Sequence, residues 1–228
     1  MLEVVIDADA LASLHVRNLL ITAARVVDNF QVRWSEQVLT ETDAARLAMA
    51  IDQGRDPATV PPIRQALANE SQSALIPDPL ANVTVRDTTD LRDIHLLQAA
   101  WTIRAPLILT RNVRDLGEHD LAAVRASATQ VDLFLASRLS TAEYRAVVAA
   151  AAGLYATKPS IQSLHATFGA VMPRLDRYSD ELGVQVLPHQ KPAEPAFRGK
   201  YCVRCGRPLI NPASLRTGLG PECRRRPD

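Results

Sequence analysis

Two segments with apolar cores, VVI in LEVVID (2–7) and PLIL in APLILT (105–110), restrict most what this chain can fold into. A strand with one wet face alternates polar and apolar residues. A strand that is apolar throughout must be covered on both faces, as in a parallel sheet with helices above and below. The intervening chain fits that frame. NFQVRW (29–34) is a brief strand, and VTVRD (83–87) alternates like one. Helical spacing runs through residues 10–27, with Leu11, Leu14, Leu19, Leu20, Ala23, Ala24 and Val27 apolar. It recurs in SEQVLTETDAARLAMAI, with Ser35 as N-cap, in IRQALANESQSAL and in LRDIHLLQAAWTI. Strand–helix–strand alternation predicts an α/β fold, a Rossmann-like parallel sheet flanked by helices. QVDLFLAS is a final strand or a helix, and two further helical stretches succeed it. The chain divides as 1–140, a sheet domain; 141–185, a helical extension packed on it; 186–199, a linker; and 200–228, a small cysteine-rich module.

Acidic residues fall where such a sheet gathers its functional groups, at the carboxyl ends of strands and in the loops after them. Asp7 ends the first strand, with Asp9 two residues on. Asp93 opens a helix after VTVRD, and Asn112 and Asp115 come after LILT. Glu41 lies on the helix after the second strand. Oxygen ligands without Cys or His suit Mg²⁺ or Mn²⁺. Each acid also has a plain alternative: Asp9 as a helix cap, Asp90 and Asp93 facing a helix dipole, Glu41 on the surface. Thr110 is placed to orient a carboxylate, and His95, in apolar company, reads as structural.

The net charge of +1 conceals an asymmetry. From Arg198 onward eight basic side chains face two acidic ones, so the tail carries +6 and the rest of the chain −5. A basic tail of this density fits a polyanion, with Arg204, Arg207, Arg216, Arg224, Arg225 and Arg226 as the contacts, in a grip without part in any chemistry; a merely solubilising tail is the alternative. All three cysteines, Cys202, Cys205 and Cys223, lie in the same tail. An odd count so confined argues against a disulfide framework and for structural Zn²⁺ in a reducing, cytoplasmic setting. The fourth ligand is left open among His189, Glu222, Asp228, a partner chain or water. No apolar run approaches the ~20 residues of a membrane span, and no signal-peptide pattern is present.

Residues 1 to about 185 resemble the PIN-domain nucleases, in the VapC-like and PilT N-terminus branch. Four stretches carry the resemblance in order: VVIDADAL, RWSEQVLTE, DLRDIHLLQAA and LTRNVRDL. It implies a catalytic site of Asp7, Glu41, Asp93 and Asp115 holding one or two Mg²⁺ or Mn²⁺ ions, supported by Asp9, Thr110 and Asn112. Asp9 stands where many members have Asn, Ser or Thr. Asn112 stands where many have Asp, which leaves open whether Asn112 or Asp115 meets the metal. The implied activity is hydrolytic cleavage of RNA by an endoribonuclease, as the toxin of a toxin–antitoxin pair with a small antitoxin partner or as a homodimer. The alternatives are a weakly catalytic or non-catalytic nucleic-acid-binding regulator on the same scaffold, and a structure-specific DNA or RNA nuclease of repair or phage defence. The tail in turn resembles short C-terminal modules of pattern C-x-x-C-G-R-x-L-x-x-P-x-S-x-x-x-G-x-G-P-x-C, complete here from Cys202 to Cys223.

Overall fold

The computed structural model describes residues 1–67, 70, 74–78, 80–86, 89–183 and 196–225. Strand β1 (Leu2–Ile6) lies between β2 (Phe30–Arg33) and β3 (Leu107–Leu109). Beyond β3 come β4 (Ser127–Thr129) and β5 (Phe197–Gly199), giving the order β2-β1-β3-β4-β5. The first four strands are parallel, and Val4 of β1 registers with Val32 on one side and Leu107 on the other. Val4, Val5, Ile6, Leu107, Ile108 and Leu109 are fully buried, as two-sided apolar strands require. Because the chain passes from β1 to β2 and then returns to the far side of β1 for β3, the strand order reverses between β1 and β3. The crevice at their carboxyl ends is the topological switch point of the sheet.

The helices after β1 are two, α1 (Ala8–Ala12) and α2 (Leu14–Val27), where the apolar spacing predicts a single one. Ser13 is extended (φ −70°, ψ 118°) and bends the chain between them. Helix α3 (Glu36–Asp52) begins as expected: Ser35 is its N-cap, and the side-chain oxygen accepts from the Val38 N–H. The next helical segment is short, α4 (Ile63–Ala66), and Leu75 bridges to Trp34 beside β2. Residues 68, 69 and 71–73 of IRQALANESQSAL lie outside the described residues. Helices α5 (Ile94–Ile103) and α6 (Glu118–Ala123) flank β3 in sequence.

VTVRD is not a strand over its described residues 83–86. The Arg86 N–H donates to Oδ1 of the buried Asp120 on α6, at 2.7 Å, in place of a strand neighbour. QVDLFLAS resolves into helix α7 (Val131–Arg138). The fourth strand is the preceding SAT, whose small residues carry no apolar signal.

Helices α8 (Thr141–Ala152), α9 (Ile161–Val171) and α10 (Ser179–Leu182) pack back onto the body, α8 and α9 against α2. A capping box of Ser140 and Glu143 starts α8. Tyr144 stacks on Tyr178 at 4.2 Å and its hydroxyl meets His165 Nδ1 at 2.8 Å, which satisfies the polar atoms of this second core.

The sheet is mixed, not wholly parallel, because β5 runs antiparallel to β4. Its residues, Phe197–Gly199, belong to the span 186–199 that the sequence presents as linker; residues 186–195 lie outside the described residues. Gly199 is required at its position. Its φ is +130°, and a Cβ there would lie 2.7 Å from the Ser127 Cα. The chain then forms α11 (Pro212–Thr217), N-capped by Asn211, and α12 (Pro221–Arg225). Among the described residues no helix is long and apolar enough to cross a membrane.

Candidate functional site

Asp7 stands directly after the last residue of β1 and occupies the N-cap position of α1 without capping it. Its Oδ2 instead accepts from the hydroxyl of Thr110, at 2.7 Å, just past the end of β3. The Thr110 oxygen accepts from the Asn112 N–H at 3.0 Å, so its own proton is committed to Asp7. Asp9 sits on the first turn of α1. It accepts from the Arg111 N–H at 3.1 Å across the same crevice. The two acids are thus not strand neighbours pointing the same way, but they remain electrostatically coupled. Burial foremost, then Asp7, pushes the Asp9 carboxyl up to about 7, against the lowering pull of Arg111.

The third segment enters through the loop before α5. Asp90 is the cap, accepting from the Arg92 N–H at 3.0 Å, whereas Asp93 makes no side-chain cap. Burial raises the Asp93 carboxyl to about 7, and Asp7, Asp115, Asp90 and Glu41 all push in the same direction. Asp93 is therefore where the fields of the acidic segments meet. Asp115 closes a turn, its N–H donating to the Asn112 carbonyl at 3.1 Å. Asn112 itself is exposed at the rim.

Glu41 projects from α3 and accepts from Gln37 at 2.9 Å. Its other oxygen lies 3.4 Å from His95 Nε2. The apolar neighbours of His95 in the sequence predict a core position, and the ring is indeed 3% exposed. Its Nδ1 meets the Arg92 carbonyl at 2.8 Å, while Nε2 has no well-formed hydrogen bond and faces Glu41. Since a carbonyl only accepts, Nδ1 carries the proton, and the site-facing nitrogen is the one available to a carboxylate-bound ligand. The Glu41–His95 contact joins two helices, and no local sequence signal announces it. Arg111, whose backbone holds Asp9, has none either.

These donors are carboxylate oxygens with a hydroxyl and an imidazole behind them. They suit a hard divalent cation, and the raised carboxyls of Asp9 and Asp93 reflect burial first and then the neighbouring acids. They are spread wide: among the described residues only the three cysteines place their ligand atoms within 4.8 Å of one another. A cation that retains several of its waters fits such an open arrangement.

The cysteine cluster is the opposite case. Cys202 is buried, Cys223 half-buried and Cys205 exposed, with the sulfurs of Cys205 and Cys223 3.4 Å apart. For Cys202 the penalty of burial is overcome by N–H donors from Gly220, Cys205 and Arg204, and the thiol is held below its ordinary value. Burial and its two sulfur neighbours push the Cys223 thiol up to about 12. Three sulfurs this close, with backbone N–H groups aimed at one of them, can hold a metal ion such as zinc. Gly218 closes the cluster from behind at φ +69°, where a Cβ would press on Phe197 and Val203. Of the proposed fourth ligands, Glu222 is exposed and paired with Arg207 at 3.3 Å, and His189 and Asp228 lie outside the described residues.

The arginines of the tail divide. Arg204 donates to the Cys223 carbonyl at 3.1 Å and Arg224 reaches the Ser214 hydroxyl at 3.4 Å, so both brace the module. Arg207, Arg216 and Arg225 are exposed, and Arg226 lies outside the described residues.

A family model described as a family of unknown function, DUF6011, matches residues 192–228, the cysteine-rich end of the chain. No curated protein and no solved structure matches the chain.

Proposed function

We propose that the protein is a divalent-metal-dependent endoribonuclease of the PIN type. The observation that carries this reading is the crevice at the switch point of the sheet, where Thr110 holds Asp7, the Arg111 N–H holds Asp9 and His95 faces Glu41, with the Asp93 carboxyl raised to about 7 by burial first and then by Asp7, Asp115, Asp90 and Glu41. An acidic crevice repels a phosphodiester until a divalent ion neutralises it. Asp7, Asp93 and Asp115 would hold Mg²⁺ or Mn²⁺, with Glu41 at the outer edge. Such an ion lowers the pKa of bound water and stabilises charge on the phosphate oxygens. Thr110 keeps Asp7 aimed, and Gln37 donates to Glu41 at 2.9 Å. Next to Asn112 opens a cavity of about 280 Å³ bordered by Arg111, Asn112, Gln130 and the ion-paired Asp132 and Arg174, which would offer polar groups along a route for the RNA strand. The exposed Arg207, Arg216 and Arg225 extend the basic surface at the tail. A toxin role belongs to the same reading, and an adjacent reading frame for a small antitoxin would assign it.

The test is cleavage of single-stranded RNA by the purified full-length protein. Activity is expected with Mn²⁺ or Mg²⁺. It should stop with EDTA and return on adding Mg²⁺ but not Zn²⁺ alone. Equal cleavage in EDTA and in metal would remove the acidic crevice from the chemistry.

A further inference from the structure

The strand leading into the cysteine module reaches the acidic crevice through the Arg198 side chain. Arg198, on β5, sends Nη1 to the Leu116 carbonyl at 3.0 Å and to the Arg114 carbonyl at 3.3 Å. Those carbonyls flank Asp115. The carbonyl of Asp115 itself accepts from the Asp90 N–H at 2.9 Å, and the Gly117 N–H donates to the Thr89 hydroxyl at 2.7 Å. Three consecutive carbonyls of the acidic loop are therefore held, two of them by the tail.

Arg198 keeps this position only while β5 stays on β4. Strand β5 is three residues long, too short for its pairing to persist unsupported. Support comes from the module: the Tyr201 N–H donates to the Ser127 hydroxyl at 2.8 Å, and Arg138 donates to the Arg204 carbonyl. Arg138 is itself fixed by Asn29, at 2.7 Å to Oδ1, and lies over the Phe30 and Phe134 rings. Arg204 is next to Cys205, and its own side chain grips the Cys223 carbonyl. Within the module the buried apolar residues are few, Val203 and Leu209 beside Cys202. A unit this small ordinarily needs a metal or disulfide staple to keep its shape.

We infer that Arg198 is a positioning residue, and that metal at Cys202, Cys205 and Cys223 holds it in place, so that the cysteine module clamps the loop carrying Asp115. The tail is then not only a grip on nucleic acid without part in the chemistry, as its charge predicts; its cysteines act on the acidic crevice through the backbone. The clamp stands on the hydrogen bonds of Arg198, Tyr201 and Arg138, and its consequence for metal binding rests on the nuclease reading.

Hydrogen exchange of the full-length zinc-loaded protein separates the two. In Arg198→Ala the amides of residues 112–117 should exchange about tenfold faster, the factor expected for losing one to two ordinary hydrogen bonds. Zinc content should stay at one per chain, and exchange in β1 and β3 should be unchanged. Both bonds come from a single Nη1 atom, so the ammonium of Arg198→Lys, with three donors, should restore the protection. A merely structural loss of bulk would not be rescued in this way. The double variant Cys202→Ser, Cys205→Ser should loosen the same amides. Unchanged exchange at 112–117 in Arg198→Ala, or no recovery with lysine, overturns the clamp. Mn²⁺ titration of the same samples reads the other half: affinity should weaken about 10–100-fold in Arg198→Ala, the range for groups that orient a metal ligand. Wild-type protein that binds no Mn²⁺ would sink the nuclease reading and leave the exchange result to decide the clamp alone.

Discussion

The acidic crevice and the cysteine cluster both collect groups that repel one another, and they manage the repulsion in opposite ways. The sulfurs lie within 4.8 Å of each other on one short stretch of chain. Backbone N–H groups from Gly220, Cys205 and Arg204 point at the most buried of them. Such a site is closed by a cation and one further ligand. The carboxylates come from segments far apart in sequence and meet hydroxyl, backbone and imidazole groups of their neighbours. The compact cluster suits a shape-holding role, and the acidic crevice, on the nuclease reading, would leave room for water and a substrate beside an ion.

The largest expected effect lies in the acidic crevice. Asp7→Asn and Asp93→Asn should each reduce RNA cleavage by more than about 100-fold, beyond the range of groups that only orient a ligand. Far-UV circular dichroism should stay unchanged, since neither side chain caps a helix. The measurement is single-turnover cleavage at saturating Mg²⁺. A variant keeping wild-type turnover drops out of the proposed metal site.

A smaller effect sharpens the difference between ligand and support. Thr110→Val keeps the shape at the end of β3 and removes the proton that aims Asp7. Mn²⁺ affinity should weaken about 10–100-fold, with cleavage recovering at high metal. If cleavage stays low at saturating Mn²⁺, the hydroxyl serves the reaction itself. Zinc content should be unchanged, because the Thr110 hydroxyl is bonded within the crevice, to Asp7 and the Asn112 N–H.

How far the sequence discloses these regions depends on what forms each. Strands β1 and β3 are legible because burial on both faces leaves apolar runs at residues 4–6 and 107–109. Ser35 is legible as a cap because capping is local. Asp7 is legible because it closes an apolar strand, whereas Asp93 is placed from the sequence by a strand, VTVRD, that does not form over its described residues. Strand β4 is not, since Ser127, Ala128 and Thr129 are chosen by the close approach of Gly199 and Tyr201, residues about 70 positions away. VTVRD misleads for a related reason: its alternation is genuine, but Asp120 takes the backbone donor that a neighbouring strand would have used. Arg198 is the extreme case. In the sequence it is one cation in a basic tail, and only the antiparallel pairing of β5 brings it to the Asp115 loop.

The smallest expected effect concerns the stability of the metal-free protein. Asp9 and Asp93 both have carboxyls raised to about 7, from an ordinary value near 3.8. A carboxyl that is raised on folding binds its proton more tightly in the native state. Its stabilising contribution is full below about pH 4 and is lost as pH rises through about 7. The metal-free protein should therefore lose stability between these limits. Asp93→Asn cannot ionise there, so it should match the wild type at pH 4 and exceed it at pH 8. Asp93 is only half enclosed, so solvent screening reduces the difference to ~1 kcal/mol. That corresponds to about 2–4 °C in a thermal melt of a chain this long. Saturating Mn²⁺ should raise the wild type and leave Asp93→Asn nearly unmoved, since only a native state with an intact site gains from binding. The cysteines supply the contrast: the Cys223 thiol is pushed up to about 12, so replacing it should not alter the slope between pH 4 and 7. Thermal melts at both pH values, with and without Mn²⁺, decide the matter. Parallel profiles for wild type and Asp93→Asn would show that Asp93 is not under the strain of its acidic neighbours.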